Sequence, residues 1–334
     1  MKKVFWLLPV VAMLIASLAV SLPVSAASPM TVPLGTVVDL PQPPDGFIPL
    51  TASDADLAKY GLPPRPTNPA DLREWNNVMS HAKTYVKGAD VIGNDPSVGF
   101  GTITNSYSKP RWTGFRASPS LNLVGGQQPV TYPGIVWSYI QVPYNVPTND
   151  GAACFWVGLD DNYIVFMDQA GFACSTNLYK QTGWQSNYCL FYCFASVGNI
   201  APRWIRYFNI YPGDTIYVSV NDCTSGTGYY TWIDVTQGTY TTRQLTHSNL
   251  LSTHANADYI YESEEGLPIC NPWGSTSFWG CQFRVTTGSS YSFPYFNDWN
   301  LYRMIMGSPS HIYGYAYNPT TINGEPGFTV QSFQ

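Results

Sequence analysis

Residues 203–222 read RWIRYFNIYPGDTIYVSVND, and this stretch carries the pattern that decides the fold. Two runs rich in Trp, Tyr, Ile and Val stand on either side of Pro-Gly-Asp, which is typical of a tight turn. Aromatic and β-branched residues between turn residues favour strands over helices. The stretch therefore predicts two short β-strands joined by a turn.

The same pattern of strand-like runs bounded by turn residues continues through residues 110–334, for example in GIVWSYIQVPY (134–144), CFWVGLDD (154–161) and YYTWIDVTQGTY (229–240). Many short strands at regular spacing, separated by Gly, Pro, Asn and Asp, indicate a β-sandwich or a barrel. This part of the chain is long enough for one large sandwich with a substantial core. The prediction is an all-β antiparallel domain over residues 110–334.

The first 26 residues have the three parts of a secretory signal peptide. Lys2 and Lys3 precede a long apolar run, and small residues surround Ala26. A retained membrane anchor is the alternative, but Pro9 and Pro23 interrupt the run and the small residues fit a cleavage site. We expect cleavage after Ala26 and a secreted protein with no membrane attachment afterwards.

Residues 27–109 differ from the remainder because they are rich in proline and contain the helical signals. A short helix is expected to begin at Ser53 or Asp54. A second helix is expected after Asn68 as N-cap, with Pro69 at the first helical position. This segment is predicted to be a pro-segment or accessory arm outside the main core.

Charge is sparse: Asp, Glu, Lys and Arg make up 11% of the chain. Residues 110–334 contain eight basic and thirteen acidic side chains, which is not the basic footprint of a nucleic-acid-binding protein. Few charges also limit self-repulsion once carboxylates are protonated, so the composition predicts tolerance of acid. The alternative is that such surfaces suit exported β-rich proteins at any pH.

Cysteine usage fits an exported protein. The seven cysteines all follow residue 150: Cys154, Cys174, Cys189, Cys193, Cys223, Cys270 and Cys281. Disulfides with one thiol left over are expected, and a pair between Cys270 and Cys281 across a hairpin is the first candidate. No metal site is expected, because Cys189 and Cys193 have neither a second cysteine pair nor a nearby histidine.

The stretch NADYIYESEEG (256–266) contains a cluster of acidic residues, which is unusual in a chain with so few charges. On a half-buried strand, Asp258, Glu262 and Glu264 would share one face. A solvated edge strand that resists aggregation is the structural explanation. A catalytic carboxylate is the functional one, and Gln169 in VFMDQAG is a candidate amide partner, although strand amides are usually structural. Serine-hydrolase and zinc-protease motifs do not occur in the sequence.

Several stretches in order resemble the glutamic endopeptidase family (the eqolisins). RWTGF, FWVGLDD and FMDQAG are similar to three motifs of that family, and NADYIYE is similar to the motif that carries the catalytic glutamate. The resemblance implies a lectin-like, jelly-roll β-sandwich preceded by a pro-segment. It also implies that Gln169 is catalytic and that Asp258 stands where the family has glutamate. Glu262, further along the same face, is the alternative base, and loss of catalysis is the third possibility.

By the same resemblance, Trp156, Trp204 and Asp160 are substrate-binding residues that line the cleft. Core packing is the alternative for the tryptophans, and a turn is the alternative for Asp160 and Asp161. The implied protein is a monomeric, acid-acting endopeptidase with polypeptide substrates and no cofactor. Two rivals remain: a non-catalytic module that binds glycan or peptide on an aromatic-lined face, and a surface-layer or stalk protein.

Overall fold

Two β-sheets, packed face to face, dominate the computed structural model of this chain. The structure describes residues 36–67, 69–92, 111–117, 134–160, 166–196, 202–223, 226–246, 256–263, 269–287, 290–292, 295, 301–304, 306–308 and 311–333. The predicted signal peptide, residues 1–26, lies outside these ranges. Within them, no helix has the length and apolar character needed to cross a membrane.

The first strands are β1 (Thr36–Val38), β2 (Thr84–Tyr85), β3 (Ala89–Ile92), β4 (Trp112–Ala117), β5 (Ile135–Gln141), β6 (Ala153–Asp160), β7 (Phe166–Cys174), β8 (Tyr188–Ser196), β9 (Arg203–Arg206) and β10 (Thr215–Cys223). The later strands are β11 (Thr227–Asp234), β12 (Thr239–Thr246), β13 (Asn256–Ser263), β14 (Ser275–Phe283), β15 (Val285–Thr287), β16 (Ser290–Ser292), β17 (Leu301–Met304), β18 (Met306–Ser308), β19 (His311–Ala316), β20 (Thr320–Ile322) and β21 (Glu325–Ser332). The helices are α1 (Asp54–Lys59), α2 (Pro69–His81) and α3 (Tyr179–Thr182), with a 3₁₀ turn at Pro49–Thr51.

In the described ranges, the larger sheet has the order β1-β12-β11-β10-β5-β14-β21-β19-β18, with β2 beside β12 and β20 beside β21. The second sheet has the order β17-β4-β13-β6-β7-β8-β9-β3. Pairing is antiparallel except between β2 and β12. The two sheets form the predicted antiparallel sandwich, so the predicted fold class is confirmed. The opening stretch supplies β9, a turn and β10.

The main core lies between the two sheets. Alternate residues of each strand point into it, such as Phe155 of β6 and Val218 of β10, as the period of a strand requires. Central strands are nevertheless buried on both faces rather than one. In β5, Val136 and Ile140 face the main core, while Trp137 and Tyr139 face a second apolar cluster on the other side of the sheet. Both faces of the larger sheet are therefore covered.

The N-terminal segment covers the outer face of the larger sheet. The hydroxyl of Ser53 accepts a hydrogen bond from the N–H of Asp56 at 3.1 Å, which caps α1. Helix α2 begins at Pro69, as expected, whereas the predicted cap Asn68 lies outside the described residues. The indole N–H of Trp75 donates to the carbonyl of Pro63 at 3.1 Å, and the Trp75 ring packs in the same cluster as Tyr139.

This segment also extends both sheets. Strands β1 and β2 pair with β12, and β3 pairs with β9 at the edge of the second sheet. Asp90 of β3 accepts from the buried guanidinium of Arg243, with Nε–Oδ1 at 2.8 Å. The segment lies outside the main core, as expected, because its buried apolar residues belong to the second cluster. It is not a separate arm, since it packs as a third layer of one compact unit. Its role as a pro-segment stays a prediction.

The described cysteines do not form disulfides. Cys154, Cys174, Cys189, Cys193, Cys270 and Cys281 are buried and take part in no disulfide, and the side chain of Cys223 is not among the described ones. The expected pair is absent because its members have other neighbours. The Sγ of Cys270 lies 2.9 Å from the hydroxyl of Tyr261, and the Sγ of Cys281 lies 3.3 Å from that of Ser138. The prediction of a Cys270–Cys281 bridge is wrong for this structure.

Replacing Trp75 tests whether the N-terminal layer belongs to the cooperative fold. We expect Trp75→Ala to lower the free energy of unfolding by about 3–5 kcal/mol, the usual cost of truncating a buried tryptophan. Urea unfolding followed by circular dichroism measures the change. The matched control is Asn76→Ala, because Asn76 is the exposed next residue of α2. Equal stability of the two variants would show that the layer is not energetically part of the sandwich.

Candidate active site

Strand β13 carries the acidic cluster and lies in the interior of the second sheet. It pairs with β4 on one side and with β6 on the other, and each of its eight residues is buried. The explanation by a solvated edge strand is therefore wrong, as is the expectation of a half-buried one. Asp258 is fully buried, which demands compensation for its charge. Glu264 and Asp161 lie outside the described residues.

Asp258 and Gln169 project from the same face of the sheet across a glycine. In the register of the strands, Asp258 is opposite Gly158 of β6, and Gly158 is opposite Gln169 of β7. Two strand spacings separate the Cα atoms of Asp258 and Gln169 by about 9.5 Å. Gly158 has no side chain of its own there, and the ring of Trp156 fills part of that space, since a Cβ on Gly158 would stand 3.0 Å from the Cζ3 atom of Trp156. The structure thus places the two principal predicted residues on one face, two strands apart.

Arg116 is the cation that balances the buried acids. It lies opposite Asp258 on β4, and its Nε donates to Oδ1 of Asp258 at 2.9 Å. Its Nη2 donates to Oδ2 of Asp258 at 3.3 Å and also makes a short contact with Oδ2 of Asp160. Asn256 donates from Nδ2 to Oδ1 of Asp160 at 2.6 Å. One guanidinium therefore bridges two carboxyl groups and fixes both in place.

The bridge sets the protonation of its members. Burial raises the pKa of Asp160 well above the ordinary aspartate value, and the nearby charge of Asp258 raises it further, while Arg116 opposes both effects. Burial would lower the pKa of Arg116, but the two carboxylates outweigh it and raise that pKa. Arg116 is therefore charged throughout the accessible pH range. The raised pKa means that burial favours the protonated form of Asp160.

Gln169 is held by a thiol. Its Nε2 donates to the Sγ of Cys193, the residue opposite it on β8, at 3.0 Å. Burial raises the pKa of Cys193, so this partner is a neutral thiol. The Oε1 atom of Gln169 is buried without a hydrogen-bond partner. An amide in this state has one N–H and one carbonyl oxygen left for other groups.

The remaining predicted residues share this face but form a neighbouring row. Glu262 lies four residues from Asp258 along β13, about 13 Å by strand rise. The indole N–H of Trp156 donates to Oε2 of Glu262 at 3.0 Å. Trp156 lies between β13 and β7, and Trp204 continues the same row on β9. Trp156 therefore engages Glu262, which also acts electrostatically on Cys193, the hydrogen-bond partner of Gln169.

The face is closed to solvent in this chain. Asp258, Asp160, Trp156 and Trp204 are fully buried, and Gln169 is 2% exposed. The sequence predicted a cleft lined by these side chains, and the structure instead shows them enclosed. Among the described residues no group of three or more His, Cys, Asp or Glu side chains is arranged to hold a metal ion.

Sequence reasoning missed Arg116, Asn256 and Cys193. Arg116 left a signal, because an arginine in the strand-like run RWTGFRA is unusual in a chain so poor in charge. Alternation places Trp112, Gly114 and Arg116 on one face of β4. Nothing in the sequence indicates that this face is shared with Asp258, since residues 116 and 258 meet only through strand pairing.

The fold is a β-sandwich that buries an acid and an amide on one face of a sheet. A family model places the chain among the peptidases: residues 132–298, half of the chain, match the peptidase A4 family. The chain belongs to the peptidase A4 family. The predicted resemblance to the glutamic endopeptidases is thereby confirmed.

Solved structures resemble the chain at low identity. Scytalidoglutamic peptidase, determined with a peptide-based transition-state analogue, is 17% identical, covers 67% of this chain and 98% of its own, and superposes with a TM-score of 0.48. Aspergilloglutamic peptidase from Aspergillus niger is 21% identical, covers 55% and 99%, and has a TM-score of 0.40. A comparison with curated protein sequences finds no significant match.

Removing the bridging cation tests the electrostatics of the site. We expect Arg116→Met to lower the free energy of unfolding by about 3–5 kcal/mol at pH 7, because two buried carboxyl groups lose their counter-charge. The loss should shrink at pH 4, where protonation removes the uncompensated charge. Urea unfolding at both pH values measures it. The triple variant Arg116→Met, Asp160→Asn, Asp258→Asn should recover stability at pH 7, and failure to recover would refute the charge explanation.

Proposed function

We propose that this protein is an acid-acting endopeptidase whose attacking water is activated by Asp258 and oriented by Gln169. One observation carries the proposal: a member of the peptidase A4 family places these two side chains on one face, across a glycine. Polypeptide is the substrate class that membership of a peptidase family favours. No cofactor enters the proposed reaction.

The reaction needs one carboxyl group and one amide. Asp258, as a carboxylate, takes a proton from water while the water oxygen attacks the scissile carbonyl carbon. The free N–H of Gln169 donates to the carbonyl oxygen as it becomes negative. The protonated Asp258 then delivers its proton to the amide nitrogen, the C–N bond breaks, and a carboxylic acid and an amine are released. All atoms of the water end in the products.

Aspartate is one methylene shorter than the glutamate of the family, which withdraws the carboxyl by about 1.5 Å. A misplacement of about 1 Å can reduce a rate by about 100-fold. The two hydrogen bonds from Arg116 define where the shorter carboxyl lies. We propose that Arg116 positions Asp258 for catalysis and that the protonated Asp160 beside it limits the negative charge of the site. Glu262, held by Trp156, has the weaker geometry for a base.

The candidate site is enclosed, and this supports the proposal that the protein is synthesised as an inactive precursor. A polypeptide cannot reach the buried Asp258 without a conformational change. The described part of the segment 27–109 pairs with both sheets, and β3 lies at the sheet edge next to the strand of Trp204. We propose that removal of this segment at low pH accompanies activation, and that the protein acts outside the cell after loss of its signal peptide. A purified precursor that keeps its length after acidification would count against autocatalytic removal.

Substitutions at the acid and the amide test the mechanism. We expect Asp258→Asn and Gln169→Ala each to reduce kcat/KM by at least about 100-fold, through loss of the base and of an oxyanion donor. The assay follows hydrolysis of a denatured protein from pH 2 to 7, with pepstatin present to silence contaminating aspartic peptidases. The matched control is Glu262→Gln, which keeps an acceptor for the indole N–H of Trp156 and should retain activity.

Three outcomes would alter the proposal. Activity that survives Asp258→Asn but not Glu262→Gln would move the base to Glu262. An inactive wild type made active by Asp258→Glu would mean that the missing methylene has switched catalysis off. No activity in any variant, including an acid-treated one, would favour the non-catalytic binding module.

Buried acids on the sheets support operation in acid. Burial raises the pKa of Asp234 to about 7, and Asp214 adds to this rise against the opposing N–H groups of Gln237 and Thr236. The raised folded-state pKa means that folded Asp234 holds its proton between about pH 3.8 and pH 7, where the unfolded chain has released it. The unfolding free energy therefore falls as pH rises through that window. Asp160 has a pKa raised in the same direction.

We expect the protein to unfold less readily at pH 4 than at pH 7. Asp234→Asn should reduce the difference by about 1 kcal/mol or more, since one pKa unit corresponds to about 1.4 kcal/mol. Asn keeps the Oδ1 acceptor that Asp234 offers to the N–H groups of Thr236 and Gln237. Denaturant unfolding at the two pH values provides the measurement. Greater stability at pH 7 would contradict the acid-adapted interpretation.

A further inference from the structure

A concave surface that is open to solvent lies at one end of the sandwich, away from Asp258 and Asp160. It is a cleft of about 480 Å³ between the chain that follows β5, the chain that precedes β8 and the turn between β9 and β10. The nearest strand residue, Tyr188, is five positions along β8 from Cys193, about 16 Å by strand rise. The cleft therefore lies outside the row of Asp258 and Gln169, although Trp184 packs against the apolar cluster that contains Trp156 and Trp204.

Aromatic rings stand exposed around this cleft. Tyr144 is 70% exposed and Tyr211 is 52% exposed, although both are large side chains that other folds bury. Trp184 is half-buried between them and the sheet, with its ring 6.0 Å from that of Tyr207. Several exposed rings in one place form a contiguous patch, and such patches mark binding surfaces.

The turn after β9 constrains two of the aromatic residues. The ring of Tyr144 lies over Gly213, so closely that a Cβ there would be 2.7 Å from the tyrosine hydroxyl. Gly213 has a φ of +85°, which suits the third position of a tight turn after Pro212. Within that turn, Asp214 accepts from the N–H of Tyr211 at 2.8 Å. The ring of Tyr144 and the backbone of Tyr211 are thus positioned before any ligand arrives, which lowers the entropic cost of binding.

The floor of the cleft is equally constrained. Ser186 donates to the carbonyl of Tyr188 at 2.7 Å, and the hydroxyl of Tyr188 donates to the carbonyl of Pro143 at 3.0 Å. The N–H of Trp184 donates to the hydroxyl of Thr182 at 3.1 Å. These bonds tie together the chain segments that line the cleft.

The polar groups of the cleft are neutral amides. None of its lining residues is acidic or basic, and Gln185, Asn187 and Asn209 are exposed. A side-chain amide both donates and accepts hydrogen bonds. Sugar hydroxyls also do both, and the apolar faces of sugar rings fit flat aromatic surfaces. The lining itself offers no charged side chain, and the cation beside it, Arg206, faces the ring of Tyr207. A proline-rich peptide would stack on the aromatic rings but offers mainly hydrogen-bond acceptors. The carbonyl oxygens of the three side-chain amides would then find no donor.

We propose that this cleft binds a neutral oligosaccharide, with sugar rings on Tyr144, Tyr211 and Trp184 and hydroxyls on the three amides. The proposal does not depend on the peptidase activity. It gives the protein a means of attachment to glycan-bearing substrates or to polysaccharide, with the reaction site left free.

Titration calorimetry of the full chain with neutral oligosaccharides tests the proposal, using hexasaccharides of glucose, xylose, mannose and N-acetylglucosamine. Saturable binding of at least one is expected, with quenching of tryptophan fluorescence. Tyr144→Ala and Gln185→Ala should each weaken binding by about tenfold or more. The matched control is Tyr317→Ala, since Tyr317 is another exposed tyrosine, 43% exposed, in the chain after β19. It should bind as the wild type does.

Three results would overturn the proposal: no saturable binding of any of the four, equal loss in Tyr317→Ala, or unchanged affinity in Tyr144→Ala. Binding of a polyproline peptide with displacement of sugar would assign the cleft to peptide instead. Circular dichroism and urea unfolding of each variant separate loss of binding from loss of fold. Hydrolysis of a short peptide substrate by Tyr144→Ala keeps this test independent of the proposed reaction.

Discussion

Two carboxyl groups on the interior strands of a sheet can remain there only if their charge is balanced, and the Arg116 guanidinium meets that requirement. It bonds to both oxygens of Asp258 and also contacts Asp160. An unpaired charge in such surroundings costs several kcal/mol. The arrangement of β4, β13 and β6 as neighbours is therefore also an electrostatic arrangement, since each of these strands supplies one member of the bridge.

The same bridge links structure to chemistry. A base must be fixed in position to activate water, and Arg116 fixes the carboxyl of Asp258, the base that we propose. Gly158 separates Asp258 on β13 from Gln169 on β7, and the ring of Trp156 lies against this glycine. Burial raises the pKa of Asp160, which favours its protonated form and so a lower total charge on the pair of acids. An enclosed site of this kind strengthens each electrostatic interaction within it.

The N-terminal layer has a structural role that its predicted helices did not indicate. It covers the outer face of the larger sheet with Trp75 and its neighbours, and it adds β3 to the edge of the sheet that carries the acids. A segment that binds both sheets couples its own presence to the geometry of the second sheet, whose outer face carries the acids. Precursor control of a buried active site is the functional consequence that we propose.

The sequence by itself determined the all-β class, the two helices of the N-terminal segment and the residues that share the face of Asp258. Local signals suffice for these features, because a strand alternates with period two and turns need particular residues. The family resemblance singled out Gln169, Trp156 and Trp204, and alternation assigned each of them to one face of its own strand. What alternation could not give was the order of strands. That order depends on pairings between residues far apart in the chain, such as Arg116 with Asp258.

Only the tertiary structure, therefore, decided that β13 is interior and not an edge, that Arg116 balances its acids, and that six cysteines remain thiols. It also decided which residues of three separate loops meet in the aromatic cleft. The physical reason is common to all of these outcomes. Burial and charge compensation are properties of neighbours in space, and the sequence records only neighbours along the chain.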